Sequence, residues 1–205
     1  MEQPHLKFAF LEGGVGWACT LFNDLVEHWK LRNVKAMQKL MDPSKLDRSS
    51  VADILVQYGG ARYKGLIEQM GAEAGSALPP ENLKELDDWS ALTINGPADF
   101  ATMFSNFYFG CEGGDRTTKF AFDTDVNACG ARLQPLYGSD IGHFDVADIT
   151  AAFAEAYEQV EEGLLTEDQF RDFTFGNVAK LHASMNPNFF NGTSVEQAVK
   201  ELAVV

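Results

Sequence analysis

Leu136-Tyr137-Gly138-Ser139-Asp140-Ile141-Gly142-His143-Phe144-Asp145 is the stretch that decides how this chain is read. An apolar run stops at small residues, gives an aspartate, and then enters a glycine-containing turn with a histidine. A strand that ends in this way presents a carboxylate and an imidazole at the mouth of a sheet. The pattern has two earlier counterparts. Phe8-Ala9-Phe10-Leu11 runs into Glu12-Gly13-Gly14, and Phe107-Tyr108-Phe109-Gly110-Cys111 runs into Glu112-Gly113-Gly114-Asp115. In parallel α/β proteins the active site lies at the carboxyl ends of the strands. Three acids placed there form a candidate site.

Residues 6–11 are short, nearly continuous and aromatic, which predicts a fully buried strand. Gly13, Gly14 and Gly16 break it. A helix is expected over about 17–41, with Leu21, Leu25, His28 and Trp29 on one face. A turn follows at Met41-Asp42-Pro43-Ser44. Residues 49–71 read as helix interrupted at Gly59-Gly60, residues 71–80 as loop, and residues 81–88 as an exposed charged stretch. Asn95-Gly96-Pro97 is a turn before a short helix over 99–104 and the second strand. Residues 116–133 read as a loop over the strand ends, and 134–138 as the third strand.

The last third is helical. Ile149, Ala152, Phe153, Ala156, Tyr157 and Val160 mark an apolar stripe, with Asp148 as N-cap and Gly163 as the stop. Thr166-Glu167-Asp168-Gln169 is a capping box, hydroxyl to the N3 amide and the Gln side chain back to the cap amide. A short final helix is expected over 177–185.

Strands alternating with helices imply a parallel sheet joined by crossovers. Three strands make a poor stand-alone sheet of that kind, and a closed parallel barrel takes eight strands and about 250 residues. The 205 residues are therefore expected to form one domain that is a piece of a barrel, or a half-barrel that meets a partner.

Hydrophobic residues make up 45% of the chain, with 16 Phe and 3 Trp, so a sizeable core is available. No apolar run reaches the roughly 20 residues that a membrane span needs. No leader pattern follows Met1, and a soluble chain is expected. A net charge of −14, from 30 acidic against 16 basic residues, argues against a nucleic-acid partner. Cys19, Cys111 and Cys129 are widely spaced and odd in number, which argues against a disulfide framework or zinc knuckle and fits a reducing, cytoplasmic compartment. Cys111 reads as a small buried hydrophobe.

Phe10-Leu11-Glu12-Gly13-Gly14-Val15-Gly16-Trp17 and the opening stretch from Tyr137 to Asp145 resemble the sixth- and eighth-strand motifs of the amidohydrolase superfamily. The closer likeness is to its amidohydrolase-related branch, the group that is similar to aminocarboxymuconate-semialdehyde decarboxylase. Phe175-Gly176-Asn177-Val178-Ala179-Lys180-Leu181-His182 resembles the helix after the last strand of that branch. The resemblance spans nearly the whole chain but covers only the C-terminal portion of a TIM-type barrel, parallel strands with outer helices.

The resemblance implies a divalent metal, zinc in many relatives, at the strand ends. A His-x-His pair on the first strand, a histidine on a middle strand and an aspartate on the last hold it. By resemblance Asp140 is that aspartate, a group that can ligate the metal and accept a proton from its water. Two departures stand out. The chain has no His-x-His, its histidines being scattered at positions 5, 28, 143 and 182. The decarboxylase relatives carry a catalytic histidine where Glu12 stands. A carboxylate serves as base or ligand, but it donates a proton at neutral pH only where burial keeps it protonated.

The expected site therefore has Asp140, Glu12 and His143 in catalytic roles, with Asp140 also the metal ligand. Trp17, Glu112 and Asp115 are expected against substrate. Each has a plainer reading. Glu12 suits a buried acid satisfied by the amides of its glycine turn, His143 a loop-shaping residue, Trp17 helix packing, and Glu112 and Asp115 structural roles. His28 and His182 are expected to be structural and His5 exposed. Gly13-Gly14-Val15-Gly16 lacks both the Lys-Ser/Thr of a P-loop and the spacing of a dinucleotide fingerprint.

The expected function is a metal-dependent hydrolase or carbon–carbon lyase, decarboxylase-like, acting on a small carboxylated or cyclic molecule. The alternative is a truncated or half-barrel subunit with an assembly role. A third reading is a carboxylate-only enzyme that needs no metal. Expected partners are a small-molecule substrate and either further copies of the chain or a complementing N-terminal half-barrel chain, with no nucleic acid and no membrane.

Overall fold

Alternating runs of Phe, Tyr and Cys between turn-forming residues favour extended backbone, because aromatic side chains pack well on a pleated surface. In the computed structural model, which describes residues 6–40, 47–61 and 87–202, three such runs form a parallel sheet. Its strands are β1 (Phe8–Phe10), β2 (Phe107–Glu112) and β3 (Gln134–Gly138), in the spatial order β1-β2-β3. Phe8 is opposite Phe107 and Phe10 opposite Phe109. Tyr108 is opposite Gln134 and Glu112 opposite Gly138. The predicted parallel α/β arrangement is present, and the third strand has the expected bounds.

The residues divide into two compact units, Met1–Glu27 with Ile94–Val205, and His28–Thr93. The first holds the sheet. Because side chains alternate along a strand, the register separates two faces. Phe10, Phe107, Phe109, Cys111 and Tyr137 lie on one. Ala9, Tyr108, Gly110, Leu136 and Gly138 lie on the other. Helix α1 (Gly16–Arg32) buries Ala18, Cys19, Phe22 and Val26. These positions lie at steps of one, three and four residues, a single helical stripe. Phe22 meets Phe104 edge-on with centroids 5.1 Å apart, and Trp17 meets Phe10 and Phe109 edge-on, each at 5.7 Å. The buried stripe does not run through Leu21 as expected, since Leu21 is exposed and Leu25 only half-buried.

Helix α4 (Pro97–Phe104) leads into β2 and starts with Pro at its first turn, where the missing N–H costs nothing. The Asp99 carboxylate accepts from the Asn95 amide at 2.6 Å. Residues 116–133, expected as loop, contain helix α5 (Thr118–Phe122) and a 3₁₀ turn (Ala128–Gly130). Thr118, Ala121 and Phe122 are buried, and five residues are too few for a helical period to be read. Buried Asn127 fixes the segment by donating to the Phe120 carbonyl at 2.7 Å. Asn23 of α1 accepts from the Ala128 amide at 2.7 Å.

After β3, helix α6 (Ala152–Glu161) begins later than expected. Asp148 accepts from the Thr150 amide at 2.9 Å and closes a turn ahead of the helix rather than capping it. Ala152, Ala156 and Gln159 are its buried positions, whereas Ile149 and Phe153 are exposed. Gly163 ends it at φ 72°, as expected. The capping box is present at α7 (Glu167–Arg171). The Gln169 amide donates to the Thr166 hydroxyl at 3.2 Å, and the Gln169 side chain accepts from the Thr166 amide at 2.9 Å. A π turn (Asp172–Gly176) continues into α8 (Asn177–Met185), so the chain is already helical where Asn177 was expected to open a helix. Buried Asn177 donates to the Pro135 carbonyl of β3 at 2.9 Å. A last helix, α9 (Glu196–Leu202), was not anticipated.

In the second unit the single helix expected after Trp17 breaks at Asn33. Its side-chain oxygen accepts from the Ala36 amide at 3.0 Å and starts α2 (Val34–Leu40). Helix α3 (Arg48–Gly59) is capped by Asp47, which accepts from the Ser49 and Ser50 amides at 3.0 and 3.2 Å. The Ser49 and Ser50 hydroxyls also donate to this carboxylate, at 2.7 and 2.8 Å, and these bonds first, with the amides adding to them, draw the Asp47 carboxyl down to about 2. The turn expected at 41–44, the continuation of helix to 71, the loop at 71–80, most of the charged stretch at 81–88, and His5 lie outside the described residues. Among the described residues, no helix is long and apolar enough to cross a membrane.

Candidate active site

The three parallel strands end on one edge of the sheet, and each ends in an acid. Glu12 follows β1, Glu112 closes β2, and Asp140 follows β3. Glu12 and Asp140 adopt positive φ, 59° and 50°. L-residues adopt that conformation at a cost, and it is a recurrent feature of functional turns. Gly110 makes the bend after β1 possible. A Cβ there would stand 3.0 Å from the Leu11 Cα and 3.2 Å from the Glu12 nitrogen. The Gly110 carbonyl accepts from the Gly14 amide at 3.0 Å and ties the glycine turn to β2.

Three clefts meet at this edge. A cavity of about 390 Å³ is lined by Glu12, Glu112, Asp140 and His182, with Leu11 and Leu136 among its apolar residues. A second of about 510 Å³ is lined by Glu12, Glu112, Trp17 and Asp115. A third of about 360 Å³ is lined by Glu112, Asp140, Ser139 and Asp145. Glu112 borders all three.

The expected residues have different surroundings. Glu12 is exposed rather than buried, and its carboxylate makes no hydrogen bond or ion pair among the described residues, so it is not held by the amides of its turn. Asp140 is partly buried, and its carboxylate lies 3.8 Å from the His143 ring. The His143 amide also donates to the Asp140 carbonyl at 2.9 Å, so this histidine closes the turn after β3. It does not line any of the three clefts.

Asp115 accepts from the Thr117 amide at 2.9 Å and hydroxyl at 2.7 Å, which shapes the start of α5. Trp17 donates its indole N–H to the Gly14 carbonyl at 3.0 Å and packs on the phenylalanines of β1 and β2, yet it also borders the second cleft. Cys111 is buried, and desolvation pushes its thiol up to about 12, so it is not a nucleophile at neutral pH. Burial likewise raises Cys19 to about 11.

His182, expected to be structural, lines the first cavity. Its ring is stacked on Phe189, with centroids 4.4 Å apart and planes 10° apart, and meets Phe190 edge-on at 6.3 Å. A histidine in a helical pattern gives no sequence signal for this placement. Only the tertiary path of α8 beside β3 brings it to the strand ends.

Among the described residues, no three His, Cys, Asp or Glu side chains converge as a metal-holding group. The acids border common cavities without making a centre of their own, and no step through a metal follows from them. The edge can accept protons and hydrogen bonds through three carboxylates that stand beside apolar walls. Comparison with protein-family models, curated proteins and solved structures gives no match for the chain.

Proposed function

We propose that the chain is the closing segment of an amidohydrolase-related (β/α) barrel. In this reading it supplies one wall of a hydrolase or carbon–carbon lyase site for a small carboxylated or cyclic molecule. The observation that carries the reading is the alignment of Glu12, Glu112 and Asp140 at the carboxyl ends of three consecutive, neighbouring parallel strands. A doubly wound sheet reverses its strand order at the site, whereas a barrel keeps sequence neighbours adjacent. The order β1-β2-β3 supports the barrel reading.

In the completed barrel, Glu12 acts as base, Asp140 receives a proton, and His143 fixes the turn that carries Asp140. A divalent metal, zinc by resemblance, would have Asp140 as this chain's ligand and take its other ligands from the remaining strands. Those strands come either from further copies, from a longer polypeptide or from a complementing chain.

A second reading, an assembly subunit without catalysis, draws support from β1. Phe8 is 47% exposed, Phe10 43% and Leu11 70%. An edge strand that shows apolar side chains is prone to pair with another segment. Metal analysis of the purified assembly, with and without Asp140→Ala, separates the two readings. One tightly bound metal per protomer, lost in the variant, is expected for the enzyme. A stable assembly that binds no metal favours the assembly role.

A further inference from the structure

We propose that His182 is the hydrogen-bond donor that receives the ligand's carbonyl oxygen in the cavity bounded by Glu12, Glu112 and Asp140. The inference rests on the reading of that cavity as a substrate site. The polar side chains on the cavity wall carry it. A carboxylate accepts hydrogen bonds, so Glu12, Glu112 and Asp140 serve this cavity as acceptors. Three other side chains on the wall carry a proton to donate. The Tyr137 hydroxyl is engaged, donating to the Ala152 carbonyl at 2.8 Å. The Cys111 thiol is buried and donates to the Phe109 carbonyl at 3.5 Å. The His182 ring makes no side-chain hydrogen bond among the described residues.

An imidazole carries an N–H in either protonation state. The ring face is occupied by Phe189, which leaves the ring edge, where the nitrogens are, for hydrogen bonding. The charged neighbours of α8 have partners elsewhere. Lys180 lies 4.0 Å from Asp172, which also pairs with Arg132, and on α9 Lys200 pairs with Glu196. A ligand carbonyl, amide or acid that enters beside Leu11, Leu136 and Leu181 therefore finds acceptors on the strand ends and its donor on α8. Polarisation of that carbonyl by a fixed donor is the role such a group plays in acyl and carboxyl chemistry. His182 would thus supply the N–H that the glutamate at position 12 does not.

Benzamide, a neutral aromatic primary amide small enough for the cavity, is the probe. Its binding to the full chain is followed by NMR through the Gly110 and Gly138 amides and the His182 ring. The inference expects all three to respond. It also expects His182→Phe, which can keep the stack on Phe189 but has no N–H, to weaken binding about tenfold. His182→Gln, which keeps an N–H donor, should stay within about threefold of the parent. Two results overturn the inference alone. One is a His182→Phe chain that binds like the parent. The other is a response of Gly110 and Gly138 without the His182 ring. No response from any of the three sets aside the substrate-site reading itself.

Discussion

At the level of single residues, two of the three acids at β-strand ends carry a conformational cost. Glu12 and Asp140 hold φ of 59° and 50°, where an L-residue is disfavoured by about 1–2 kcal/mol and glycine is not. Glu12→Gly is therefore expected to raise the stability of the fold, by up to about 1 kcal/mol in urea unfolding, while it removes an acceptor from two clefts. Asp140→Gly should gain less, because aspartate tolerates this region better. A loss of stability in Glu12→Gly would show that its side chain holds the turn. Gly110→Ala tests the same bend from below. Its Cβ would press on backbone atoms of Leu11 and Glu12 that side-chain rotation cannot relieve. The expected cost is about 1–3 kcal/mol.

The cysteines give a further test at this scale. Cys129 is exposed, whereas Cys19 and Cys111 are buried with thiols raised to about 11 and about 12. One equivalent of a thiol reagent should react with the native chain near neutral pH, and three after unfolding. Thiols raised in the folded state stabilise it below the unfolded value of about 8.5. That contribution is lost as pH rises from there through about 11–12. The strand-end acids were readable from sequence because a strand stops visibly at glycine. The exposure of Glu12 and the cavity position of His182 were not, because both depend on which other segments pack nearby.

At the level of elements, helix α8 is fixed to the sheet by one buried polar contact. Asn177→Leu leaves the buried Pro135 carbonyl without its donor, at an expected cost of about 1–3 kcal/mol. Thr166→Ala removes half of a capping box, with an expected loss of about 1 kcal/mol. A urea midpoint unchanged in Asn177→Leu would mean that α8 is held by its apolar contacts alone. Sequence pattern served these elements unevenly. The capping box was legible because it is a local arrangement of hydroxyl, amide and backbone. β3 was legible because Pro135, Leu136 and Tyr137 form a compact run before glycine. The buried face of α1 was misplaced because apolar residues occur on several of its sides, and the sequence does not record that Phe22 packs inward against Phe104 of α4. α5 escaped notice because its burial comes from long-range contacts.

At the level of the whole molecule, the sheet has open edges at β1 and β3 among the described residues. Apolar side chains are exposed along the first of them, Leu6, Phe8, Phe10 and Leu11. Burial of about 25 cal/mol per Å² of apolar surface favours pairing along such an edge. The charge of −14 sets copies of the chain against one another by like-charge repulsion, which opposes that pairing most at low salt. The parallel α/β class was legible from the alternation of strands and helices. Whether the edges close into a barrel was not, because local residue pattern does not record what pairs with a sheet edge. The most direct measurement is the mass of the purified chain in solution together with its unfolding midpoint at two widely separated protein concentrations. A barrel segment completed along its edges should be oligomeric, or captured by a complementing chain, with a midpoint that rises with concentration. A monomer that unfolds in one sharp transition at the same midpoint throughout would contradict it.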